Sequence, residues 1–122
     1  MNLPSPIRVA LVDDHSLVRD GIKALLAVMS PLDMVGEAEN GAEALDLIDH
    51  TQGIELLLSD VVMPGSIDGL QVVAHARAKG SIPRIVLMSA FVPNRAVAAE
   101  VPFLQKPFSR AELLLALSNA RP

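Results

Sequence analysis

The feature that most constrains this chain is an alternation of short apolar runs with longer stretches of helical periodicity. Ile7–Val12 (IRVALV) is a continuous apolar strand with one charge near its start. Ser16–Met29 then reads as a helix, with Val18, Ile22, Leu25 and Met29 on one face, and Ser30-Pro31 stops it. Met34–Ala38 is a weaker strand, followed by Asn40-Gly41 and a short helix through Ala44, Leu45 and Ile48. Ile54–Ser59 (IELLLS) is a strand apolar enough to be covered on both faces. Asp68 is placed to cap a helix through Leu70, Val72, Val73 and Ala76 that closes at Lys79-Gly80. Ile85–Met88 and Phe103–Gln105 supply two more strands. The last helix, Ser109–Asn119, starts with Ser109 and, three residues on, Glu112. Strands alternating with helices at this spacing imply βαβ crossovers and a parallel sheet with helices on both faces.

In such sheets the functional groups collect at the carboxyl ends of the strands. The polar residues there form a chemical set. Asp13 and Asp14 follow the first strand, Asp60 the third, Ser89 the fourth and Lys106 the fifth. Singly, each has a plainer explanation: Asp14 as a helix cap, Asp60 as a turn residue before Met63-Pro64-Gly65, Ser89 as structural and Lys106 as solvated surface. Their joint occurrence at matched strand ends favours chemistry. Two carboxylates about 4 Å apart repel by roughly 4 kcal/mol at an effective dielectric of about 20. Several clustered together therefore call for a cation, and an all-oxygen donor set points to Mg²⁺ rather than Zn²⁺. A carboxylate nucleophile beside a metal and a Lys suits phosphoryl transfer, with the Ser hydroxyl donating to an arriving phosphoryl oxygen.

Composition narrows the classes further. A 122-residue chain with 51 % hydrophobic residues makes one domain with a real core. The net charge of −4 argues against the nucleic-acid backbone as a partner, and three Phe without Trp or Tyr leave no stacking platform for single strands. There is no Cys, which excludes disulfides and thiolate chemistry and fits a reducing, cytoplasmic setting. No apolar run approaches the length of a membrane span, and Met1–Pro6 reads as a short N-terminal extension rather than a signal peptide.

The segments LVDDHSLVRDGI, LLLSDVVMPGSIDGL, IVLMSA and FLQKPF resemble, across essentially the whole chain, the receiver domains of bacterial two-component response regulators. The resemblance implies one receiver domain over residues 1–122: a flavodoxin-like, doubly wound α/β sandwich with five parallel strands. It implies Asp60 as phosphoryl acceptor, and Mg²⁺ held by Asp13, Asp14, Asp60 and the backbone carbonyl of Val62. Ser89 would turn toward the phosphoryl group and Lys106 would pair with it, across a cis Lys106-Pro107 bond. Phe103 matches an aromatic that changes rotamer with activation. The donor would be a histidine kinase or a His-containing phosphotransfer protein, docking against the first helix, whose apolar residues outside the core stripe include Leu17, Gly21, Ala24, Leu26 and Val28. The protein would be a signalling acceptor assisting its own phosphorylation, not a metabolic enzyme.

Apolar Val62 and Phe91 near the acceptor imply slow loss of the phosphoryl group. His15 reads as an exposed residue at the helix start, and His50 and His75 have no metal-ligand spacing. Between Ser89 and Lys106 the chain is shorter than the family pattern, with Pro93 and Pro102 bracketing a shortened fourth helix; the loop MPGSIDG is one residue longer. The expected form is a stand-alone regulator or the receiver of a longer protein. An aspartyl phosphatase does not fit, because Val62 stands where its second Asp would be. A flavin protein lacks its phosphate loop. A receiver-like interaction module that is not phosphorylated remains the alternative.

Overall fold

The structure is a computed structural model and describes residues 7–28, 32–90 and 101–119. The elements run β1 (Ile7–Val12), α1 (Ser16–Ala27), β2 (Leu32–Ala38), α2 (Gly41–His50), β3 (Leu56–Asp60), α3 (Gly69–Lys79), β4 (Arg84–Ser89), β5 (Phe103–Gln105) and α4 (Arg110–Asn119). The Met1–Pro6 extension, Met29, Phe91, Pro93 and the shortened helix expected between β4 and β5 lie outside the described residues. No helix among the described residues is long and apolar enough to cross a membrane.

All pairings are parallel, in the order β2-β1-β3-β4-β5. This is the flavodoxin-like doubly wound topology, in which strand order reverses between β1 and β3. Alternate side chains of each strand feed opposite faces. Val9, Leu11, Leu56, Leu58, Val86 and Met88 pack with Ile22 and Leu26 of α1 and with Leu113 and Ala116 of α4. Ala10, Val12 and Leu57 point the other way, onto Ala44 and Ile48 of α2 and Val72 and Ala76 of α3. Every residue of β3 is buried, so it forms the centre of both layers.

Strand boundaries differ slightly from the sequence reading. Ile54 is buried but precedes β3, and Asp60 and Ser89 are the last residues of their strands rather than the first beyond them. Leu26, expected outside the core stripe of α1, is 1 % exposed, because the stripe that meets the sheet runs through Ile22 and Leu26. Leu17 and Val28 do stay exposed.

The helix starts behave as their sequences suggest. Asp68 accepts from the Gln71 amide at 3.0 Å while the Gln71 side chain accepts from the Asp68 amide at 2.9 Å. Ser109 and Glu112 form the same reciprocal pair, at 3.1 and 2.9 Å. Gly69, directly after the Asp68 cap, folds back onto β3: its amide donates to the Val61 carbonyl at 2.8 Å. A Cβ there would collide with the Asp60 carbonyl oxygen and come within 2.7 Å of Val61 Cα. The only side chain small enough at this position is hydrogen.

Gly69→Ala is expected to lower stability by about 1–3 kcal/mol, the usual cost of forcing an added methyl into a packed site. Gly21→Ala, in open space on α1, is expected to raise it by about 0.5–1 kcal/mol through helix propensity. Urea titrations of the two variants check the opposite signs.

Candidate functional site

Strand register brings the polar set to one edge. Val12 pairs with Ser59, so Asp13 stands next to Asp60; Asp60 pairs with Met88 and Ser89 with Gln105, so Ser89 and Lys106 each lie one step further along. The Lys106 amide donates to the Ser89 carbonyl at 2.8 Å, which fixes the start of the β5–α4 loop against β4. The Lys106-Pro107 bond is cis, as the resemblance implied.

From that loop the Lys106 side chain reaches across β4. Its ammonium donates to Asp13 Oδ2 at 2.9 Å and to Asp60 Oδ2 at 3.0 Å. Asp13 is fully buried and Asp60 is 4 % exposed, so these are buried ion pairs rather than surface contacts. Asp13 Oδ1 also accepts from the His15 amide at 2.8 Å. Asp14 is half-buried, and its Oδ1 is a buried oxygen without a hydrogen-bond partner among the described residues. The His15 Nδ1 lies 3.2 Å from that oxygen, within ion-pair reach.

Oxygens of Asp13, Asp14 and Asp60, with one His15 ring nitrogen, lie within 4.8 Å of one another. One ammonium cannot balance three carboxylates. Burial pushes the Asp60 carboxyl above its ordinary 3.8; Lys106 opposes the shift, while Asp13 and Asp14 add to it. Burial pulls Lys106 down, but its hydrogen bonds to Asp13 and Asp60 outweigh that and leave it above 10.5. Lys106 thus bonds two carboxylates at once, and Asp60 shares that ammonium with Asp13. The residues fit a hard divalent cation, which would add positive charge and take up the Asp14 oxygen that accepts no hydrogen bond among the described residues. Asp13, Asp14 and Asp60 are the side chains that would hold it.

The structure thus brings together Asp13, Asp14, Asp60 and Lys106 by side chain, and Ser89 by backbone. Ser89 is buried. Val62, two residues past Asp60, is 63 % exposed. Phe103 is half-buried on the flank of the sheet, against the cluster of Val73, Leu87 and Val101. His15, not Asp14, takes the N-cap position of α1; it is exposed, as the sequence reading had it, but its ring faces the carboxylates. His75 pairs with Asp49 at 2.7 Å and His50 with Asp46 at 3.0 Å, both away from this edge. Sequence reasoning missed Arg19, whose guanidinium donates to the Asp13 carbonyl at 2.6 Å. The signal was there: Arg19 and Lys23 form an i, i+4 basic pair on the α1 flank that faces β2. Beside the site, a cleft of about 490 Å³ runs between α1 and the β5–α4 loop, lined mainly by Val18, Ile22, Leu25, Pro107 and Phe108, with Lys106 and His15 at its polar end.

A carboxyl whose folded pKa lies above its unfolded value holds its proton more tightly when folded. Ionising Asp60 therefore costs stability, a cost absent below about pH 3.8 and growing as pH rises through the raised folded value. Without divalent cations, Asp60→Asn is expected to raise Tm by a few degrees at neutral pH, and the advantage should vanish on acidification. Lys106→Ala should instead lose up to about 3 kcal/mol, because it strands buried carboxylates. Thermal melts in chelator across pH check both.

Residues 9–118 match the family model described as the response regulator receiver domain. The chain is 37 % identical over 120 residues to the "Probable transcriptional regulatory protein NarL" of Mycobacterium tuberculosis, covering 93 % of this chain and 54 % of that protein. It therefore spans about half the length of this curated relative. The solved signal receiver domain of the putative response regulator NarL from Mycobacterium tuberculosis superposes with a TM-score of 0.80 at 34 % identity, covering 95 % of this chain and 96 % of that one. CheY6 from R. sphaeroides, solved in complex with the P1 domain of CheA3, gives a TM-score of 0.80 at 28 % identity, over 95 % of this chain and 97 % of the other.

Proposed function

The chain belongs to the response regulator receiver domain family, and we propose that it accepts a phosphoryl group on Asp60 from a phosphohistidine donor and signals by changing conformation. The observation that carries this reading is the buried Asp60 carboxylate, held 3.0 Å from the Lys106 ammonium within an acidic cluster whose Asp14 Oδ1 accepts no hydrogen bond among the described residues.

In the reaction a carboxylate oxygen of Asp60 attacks the phosphorus, the new P–O bond forms as the donor's P–N bond breaks, and the imidazole leaves with its electron pair and takes up a proton. Mg²⁺ bound by Asp13, Asp14, Asp60 and the backbone carbonyl of Val62 would supply charge neutralisation for the transferring oxygens. Asp13 is held by Lys106 and by the His15 amide, so its carboxylate need not reorganise. Lys106 already touches Asp60 and can turn one N–H toward a phosphoryl oxygen as its bond to Oδ2 is given up. Ser89, buried at the neighbouring strand end, is the hydroxyl that donates to a second oxygen.

Drawing Ser89 toward the phosphoryl group would shift β4 relative to β5. Phe103 sits on β5, so its half-buried ring is the group that changes rotamer as the populations shift. The apolar cleft beside α1 opens at Lys106 and supports docking of the donor there, a histidine kinase or a His-containing phosphotransfer protein. The complex of CheY6 with the CheA3 P1 domain is consistent with such a partner. The role is that of a signalling acceptor rather than a metabolic enzyme.

Intact mass after incubation with acetyl phosphate and Mg²⁺ tests this. One added phosphoryl group is expected, absent from Asp60→Asn and from a chelated sample, and lost over minutes or longer because exposed Val62 offers no group to orient a hydrolytic water. No adduct from acetyl phosphate and none from a phosphorylated donor domain would leave an interaction module that is not phosphorylated.

A further inference from the structure

Four groups of Asp13 have protein partners. Its amide donates to the Ala38 carbonyl at 3.0 Å, its Oδ1 accepts from the His15 amide, and its Oδ2 accepts from Lys106. Its carbonyl oxygen accepts from Arg19 Nη1 at 2.6 Å. That last contact lies outside the acidic pocket and serves no step of the proposed transfer.

The Arg19 side chain is 13 % exposed and wedged between α1 and the end of β2. Its Nε donates to Glu37 Oε1 at 3.1 Å, and its Nη2 lies 4.0 Å from Glu39 Oε2. Glu37 is in turn held from the other side by Lys23 at 2.9 Å. Lys23, despite some burial, and then Arg19 keep the Glu37 carboxyl below its ordinary value, so it stays charged as an anchor. A guanidinium is a planar fork whose donors point in fixed directions. With one edge on Glu37, its Nη1 is aimed at a single point, the Asp13 carbonyl.

That carbonyl belongs to the peptide joining Asp13 to Asp14. Orienting this peptide plane sets the direction in which the Asp14 Cα–Cβ bond leaves the chain. Asp14 needs such help, since its buried Oδ1 has no hydrogen bond of its own among the described residues.

We propose that Arg19, braced by Glu37, is a positioning residue that fixes the Asp13–Asp14 peptide and so sets the affinity of the acidic pocket for a divalent cation. The inference rests on the phosphoacceptor reading of that pocket.

Electrostatics alone makes the opposite forecast. Removing a positive charge near an acidic cluster should strengthen cation binding. Loss of affinity on removing Arg19 therefore reports geometry, not charge.

The test is a MgCl₂ titration of the ¹⁵N-labelled chain, followed through the amide shifts of residues near the pocket. The same spectra show whether each variant is folded. Arg19→Gln is expected to weaken Mg²⁺ binding about 10–100-fold, as loss of a group supporting metal ligands commonly does. Arg19→Lys keeps the charge but not the fork, and should fall between wild type and Arg19→Gln. Glu37→Gln, on the half-exposed rim, should weaken binding several-fold, the direction that loss of a negative charge also gives, so Arg19→Lys, which leaves the charge unchanged, carries the test if Arg19→Gln does not fold. Folded variants that bind Mg²⁺ as tightly as wild type, or more tightly, overturn the assignment while the phosphoacceptor reading stands. A folded wild-type chain that does not bind Mg²⁺ overturns both.

Discussion

A single ammonium joins the two ends of this sheet edge. Lys106 follows the short outermost strand β5, reaches over β4, and meets Asp60 on β3 and Asp13 just after β1. Asp13 and Asp60 are buried, and a buried carboxylate without a partner is costly. The contact therefore sets where the β5–α4 loop lies, and the Lys106 amide on the Ser89 carbonyl holds the same loop from its backbone side. One cation still falls short of three carboxylates. The edge is thus neither fully compensated nor free to relax, and a divalent cation or a phosphoryl group changes its balance directly.

That imbalance is sustained by the core beneath it. β3 is buried along its whole length, between helices on both sides, and its final residue is Asp60. Gly69 clamps the loop after β3 back onto Val61, so the acceptor cannot swing outward. On the other flank, the Asp13 amide on the Ala38 carbonyl and the Arg19 fork tie Asp13 to β2. The apolar layers supply the stability, and the strand tips spend part of it on a strained electrostatic arrangement that chemistry can use.

Much of this was legible in the sequence. Apolar runs of strand length and helix periodicity gave the five strands and the flanking helices, because burial on two faces leaves only Arg8 and Ser59 polar within IRVALV and LLLS. The chemical residues were legible for the same reason: a charge at the end of a buried strand has little structural excuse. Boundaries were less clear, since Asp60 and Ser89 complete their strands through backbone pairing, which side-chain pattern does not report. Leu26 was misplaced because α1 rests on the sheet along one stripe and on a cleft along another. Arg19 was not seen because the i, i+4 pair it makes with Lys23 marks a basic helix flank, whereas its contact with the Asp13 backbone carbonyl leaves no mark in the sequence. The ring of His15 turned toward the carboxylates is likewise a tertiary fact.

The most direct measurement is to locate the modified atom. Borohydride reduces an acyl phosphate to an alcohol, so treating the phosphorylated chain and mapping its peptides identifies the acceptor. The account predicts homoserine at position 60 and at no other acidic residue. Homoserine at position 13 or 14, or a phosphorylated chain with no reducible acyl group, would contradict it.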